Sequence, residues 1–110
     1  MISSREIVAA FLTGISKRNS NMNTDGTTLY FNGNKIAEKV GRFISIFDGG
    51  FPSRSTKYRL NTLSQLMLES GEYHVTVGNI YQRDFQWFFK RHDFTFGGFF
   101  RNDMLAGMKK

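Results

Sequence analysis

The sequence predicts a single α+β domain spanning residues 1–110, a mainly antiparallel sheet of about five strands with two helices packed on one face. Three observations lead there. Within residues 27–68 the apolar pattern passes from period two to helical spacing across short turns. Asn32-Gly33, between two extended runs, is the strongest short hairpin signal, because both central positions of a type I′ turn need positive φ. Two apolar stripes at helical spacing lie outside the hairpin-linked strands, and that segregation distinguishes α+β from alternating α/β.

Taken in order, residues 3–18 read as the first helix. Ser3 or Ser4 suits the N-cap, Glu6 the positive end of the helix dipole, and Lys17 and Arg18 its negative end. Ile7, Val8, Phe11, Leu12 and Ile15 form one stripe, and Gly14 weakens the last turn. Residues 19–26, polar and without periodicity, read as a loop. A three-stranded meander follows over residues 28–31, 35–40 and 42–47, closed by Asp48-Gly49-Gly50. Residues 51–56 lead into a second helix over 56–70, with Leu60, Leu63, Leu66 and Met67 on its buried side and Gly71 as left-handed C-cap. Tyr73, Val75 and Val77 alternate with polar residues as a short strand, and Gly78-Asn79 turns it. Residues 80–90 fit both periods in part, and ring content favours a strand over 85–90. Phe94 and Phe96 share a strand face before the Gly97-Gly98 break, and from Asn102 the chain forms a weak helical turn or frays.

Composition narrows the function. The 110 residues suffice for one hydrophobic core without metal or disulfide support. There is no cysteine, which removes disulfide frameworks, thiol catalysis and zinc ribbons together. No segment approaches the about 20 apolar residues needed to cross a bilayer, and residues 7–12 lack a signal-peptide layout, so the expectation is a soluble intracellular protein without membrane contact. The net charge of +6 favours polyanionic or acidic partners. It is evenly spread, with 7 Lys/Arg against 4 Asp/Glu in residues 1–55 and 8 against 5 in residues 56–110, which argues against a basic tail as the sole binding element. The 12 Phe, 4 Tyr and 1 Trp crowd towards the C-terminus, so rings build the core or meet a partner.

Residues 29–63 resemble a pattern in small bacteriophage proteins of unknown function. It comprises an aromatic strand at Leu29-Tyr30, a tight turn at Asn32-Gly33, Ile36-Ala37, a short strand at Ile44-Ser45-Ile46, and a Ser53-x-Ser55-Thr56-Lys57 helix start. Tyr81-Gln82 and Gln86-Trp87-Phe88 look like the aromatic strand such proteins carry near their C-terminus. The resemblance implies a phage accessory protein made in a bacterial cell, hence host cytoplasm, and brings no catalytic residue.

Two candidate binding regions stand out. Arg54, Lys57 and Arg59 surround the start of the second helix among Ser53, Ser55 and Thr56. Cations there oppose the helix dipole, and a bound phosphate would reverse the conflict. The plainer reading is that Ser55 caps the helix while three side chains extend into water. The other region interleaves Arg83, Phe85, Trp87, Lys90, Arg91, Phe94, Phe96, Phe99 and Arg101, a composition suited to stacking bases beside a phosphate backbone. The plainer reading makes these rings the core. Catalytic chemistry has little footing: His74 and His92 are far apart in sequence, and no phosphate-binding glycine loop, nucleophile elbow or paired acid motif appears. No cofactor or metal is expected. The expected function is non-enzymatic binding of nucleic acid, or of a host nucleic-acid complex, through Arg54, Lys57, Arg59, Arg83, Lys90 and Arg91. The alternative is an inhibitor of a host defence or transcription enzyme, anchored by Trp87, Phe99 and Phe100; a self-associating structural component is a third.

Overall fold

A computed structural model describes residues 2–50, 52–93 and 95–110. Helix α1 spans Ser4–Thr13. Ser3 Oγ accepts from the Glu6 N–H at 3.2 Å and Glu6 reaches back to the Ser3 N–H, a full capping box. The helix stops short of residue 18 because Gly14 turns left-handed, at φ 80°, and its N–H closes onto the Ala10 and Phe11 carbonyls. Lys17–Arg18 (β1) and Met22–Thr24 (β2) then pair, in a segment expected to continue the helix and pass into a loop. Only Met22 and Thr24 turn inward there, too short an alternation to register as a period. Asn19 organises the turn, its Oδ1 accepting from the Asn21 and Met22 N–H groups at 3.0 and 2.8 Å.

Thr28–Phe31 (β3) and Asn34–Val40 (β4) flank the expected turn, with Asn32 and Gly33 at φ 51° and 80°. Leu29 pairs with Ala37 but Tyr30 with Lys35, so Ile36 is a bulge and Ile36 and Ala37 are both buried. Phe43–Ile46 (β5) completes the meander. Helix α2, Arg54–Ser70, is capped by Ser53 and ends at Gly71, φ 70°. Tyr73–Val75 (β6), Asn79–Arg83 (β7), Gln86–Lys90 (β8), Phe96–Phe99 (β9) and Met104–Lys109 (β10) follow.

The fold is α+β with antiparallel pairing throughout, in two sheets rather than one of about five strands. Seven strands run in the order β1-β2-β3-β4-β5-β10-β6, and three in the order β7-β8-β9. The C-terminal residues, expected to fray or form a helical turn, instead supply β10, inserted between β5 and β6. A strand pair is stabilised only when its distant partner is in place, so local sequence did not reveal it.

Both helices cover one face of the large sheet. From α1, Phe11 lies beneath the Lys39 ammonium, which is 5.3 Å from its ring centroid and donates to Leu12 O and Gly26 O. From α2, Met67 sits against Gly107, where a Cβ would stand 3.2 Å from its sulfur. An Arg5–Glu69 ion pair at 2.8 Å joins the two helices. The core of Ile7, Phe11, Leu29, Ile44, Leu60, Leu63, Met67 and Ala106 fills the space between. The small sheet is attached through Asn61 of α2, which donates to Ile80 O at 3.0 Å and accepts from Ile80 N at 2.6 Å. That attachment sets which face of the small sheet meets the core.

Candidate functional site

Strand alternation divides the small sheet cleanly. Its inner face carries Ile80, Trp87 and Phe89 towards the core. Trp87 packs edge-on against Phe100 at 5.0 Å, and the two are only 4% and 8% exposed. They therefore build the core and are not surface anchors, which removes two of the three residues expected to grip a protein partner. A Cβ at Gly97 would overlap the Phe89 ring, so the glycine break between Phe96 and Phe99 is what lets β9 lie over that ring.

The outer face is a row of rings. Register places Tyr81 opposite Phe88, and Phe88 opposite Phe99. Tyr81 stacks on Phe88 at 5.7 Å and 22°, Phe88 meets Phe99 at 4.9 Å and 36°, and Phe96 leans on Phe88 at 6.4 Å. Phe96 and Phe99 remain 63% and 62% exposed. The same register sets Arg83 opposite Gln86 at the turn end of this face, and Lys90 opposite Asn79 at the other. Lys90 holds its ammonium 5.6 Å from the Tyr81 ring centroid. Two exposed rings, Phe96 and Phe99, and two half-buried ones, Tyr81 and Phe88, thus share this outer face with the two cations. Phe96 and Phe99 bury little on folding, so core packing does not account for them.

The remaining predicted residues are dispersed. Arg91 is exposed just beyond β8, its N–H bonded to Thr95 O, and Arg101 is exposed before β10. Phe94, grouped with them in the sequence, lies outside the described residues, as does Phe51 before the second helix. Asp93 accepts from the Thr95 hydroxyl at 2.6 Å and the Thr95 N–H at 3.0 Å, and these bonds, the hydroxyl's first, hold its carboxyl below the usual range. Phe85, at the tip of the β7–β8 hairpin, is 98% exposed.

The start of α2 is arranged differently from the sequence reading. Ser53, not Ser55, is the cap, its hydroxyl accepting from the Thr56 N–H at 3.1 Å. Arg54 is exposed and Lys57 half-buried. Arg59 folds back: its guanidinium stacks 4.0 Å from the Phe31 ring centroid and Nη1 donates to Ser55 O at 3.0 Å. Its Nε is buried without a partner, and desolvation lowers its pKa. The 220 Å³ hollow at this helix end is lined by Asp48 as well as Ser53 and Thr56, and a carboxylate there opposes an anion. Arg59 is therefore a packing residue, and the three cations do not converge. Among the described residues no group of three His, Cys, Asp or Glu side chains stands together. His92 is tied by Nδ1 to Val75 O at 3.1 Å.

Tyr81 and Phe88 were not among the residues expected to bind, although they form the centre of the ring row. Their signal was the alternation on either side of the β7–β8 turn, and Asp84-Phe85 hides that turn because it lacks the Asn-Gly signature.

Fold and surface together define a small antiparallel α+β protein with an aromatic, cation-bracketed sheet face. The family model described as Kyanoviridae Gp96 protein matches residues 4–108. The chain belongs to this cyanophage family, in agreement with the bacteriophage resemblance of residues 29–63. No curated protein and no solved structure matches it.

Proposed function

We propose that this phage protein is a non-enzymatic binder of single-stranded nucleic acid in the host cytoplasm, with the outer face of the β7-β8-β9 sheet as its platform. The observation that carries the reading is the outward row of half-buried Tyr81 and Phe88 with exposed Phe96 and Phe99, flanked by Arg83 and Lys90. Every base has a π-face, so such a row accepts bases with little regard to sequence, while the flanking cations hold the backbone. Arg91 and Arg101 extend the positive rim, and the overall charge of +6 favours approach of a polyanion. Duplex DNA keeps its base faces stacked on one another, which leaves only the electrostatic part of the attraction for a double strand.

The test is fluorescence anisotropy with single- and double-stranded oligonucleotides at two salt concentrations. Single strands are expected to bind more tightly. Phe88→Ala with Phe99→Ala should weaken that binding by about 2 kcal/mol or more, since base stacking contributes roughly 1–3 kcal/mol per base. Failure of the unmodified protein to bind any oligonucleotide at low salt would sink the reading and leave the charge to attract an acidic protein.

A further inference from the structure

The β7–β8 hairpin turns through Asp84 and Phe85, both left-handed, at φ 51° and 63°. The β3–β4 hairpin solves the same problem with Asn32-Gly33, the residues this geometry favours. A bulky non-glycine side chain at positive φ is an outlier, and such strain persists where something other than folding maintains it. Phe85 gains nothing in exchange from burial, because its ring is 98% exposed. Both of its faces are therefore bare, whereas a ring lying on the sheet offers one.

We infer that Phe85 inserts between two adjacent unpaired bases of the strand lying on the ring row, marking the hairpin end of the binding site. This deepens the platform reading and rests on it. Phe85 continues the strands that carry Tyr81 and Phe88, with Arg83 next to the tip to neutralise the backbone. Its sequence neighbours Gln82, Arg83, Asp84 and Gln86 are all exposed and polar. An anchor for an apolar protein pocket is ringed by contacts that exclude water; the hollow beside Phe85 is instead edged by Asp48, Gln86 and Asn102 with Pro52, while its other rings, Trp87 and Phe100, are buried. A ring bare on both faces suits splayed bases, which stack on each face while their edges and phosphates stay wet.

The experiment uses the full chain and a single-stranded oligonucleotide carrying 2-aminopurine, whose fluorescence reports loss of base stacking. Phe85→Gly is expected to raise the unfolding midpoint by roughly 2–5 °C through relief of the left-handed strain. It is expected to weaken binding about five- to 150-fold, the equivalent of one stacked base, and to abolish the fluorescence change. Phe85→Leu keeps the apolar bulk without a π-face and should lose binding to the same extent, while Phe85→Trp should retain it. Oligonucleotide binding that is unchanged in Phe85→Gly, or kept in Phe85→Leu, overturns the insertion. If Phe88→Ala with Phe99→Ala lowers affinity while Phe85→Gly does not, the insertion fails and the platform stands. If the unmodified protein binds no oligonucleotide, both fail.

Discussion

Asn61 offers Ile80 one donor and one acceptor, the pair a neighbouring strand would offer, and so seals the edge of β7 against α2. In the sequence it is one polar residue on a helix, and nothing local marks this role. Asn61→Ala should destabilise the fold by about 1–3 kcal/mol, because the half-buried Ile80 N–H and C=O both lose their partner; urea melts would measure it. Asp25 is a second polar residue with a structural task. Its Oδ1 accepts from the Thr27 and Thr28 N–H groups at 2.8 Å each, and these bonds, Thr27 first, hold its carboxyl below the ordinary 3.8. A carboxyl depressed in the folded state contributes stability above its unfolded pKa, and that contribution disappears as pH falls through the folded value. Asp25→Asn should therefore lower stability at neutral pH and flatten its decline on acidification below about pH 4, seen in thermal melts from pH 7 to pH 2. Arg59 shows the same limit on reading single residues: its charge is legible, but its stacking on Phe31 depends on a contact between distant segments.

Among the elements, β10 ties the end of the chain into the middle of the large sheet. It pairs with β5 on one side and β6 on the other, so without it Tyr73–Val75 has no place in the sheet. A chain ending at Asp103 should lose cooperative unfolding, and its amide NMR spectrum should lose dispersion; a dispersed, native-like spectrum would contradict the role given to this strand. The β7–β8 hairpin is the element on which the proposed binding site depends. Its register, Tyr81 to Phe88 and Gln82 to Trp87, sends Tyr81 and Phe88 outward and Trp87 inward. A slip of one residue would exchange those faces.

For the whole molecule, charge and surface geometry argue in the same direction. The positive charge is dispersed over both halves of the chain, so the field favours a polyanion generally, and in the proposed function the ring row with Arg83 and Lys90 would supply the local contact. Binding should weaken with salt, and Lys90→Ala should reduce the slope of log affinity against log salt by about 0.7 if that ammonium meets a phosphate of a single strand. An unchanged slope would place Lys90 outside the contact. The α+β class, the cap at Gly71, the Asn32-Gly33 turn and much of the helical stripes were legible in the sequence, because each rests on residues within a few positions of one another. The tertiary structure alone decided the second sheet, the central place of β10, the inward turn of Trp87 and Phe100, and the outward row of Tyr81, Phe88, Phe96 and Phe99. Those outcomes depend on pairing across long separations and on strand register, and a run of aromatic residues looks the same in sequence whichever face it will present.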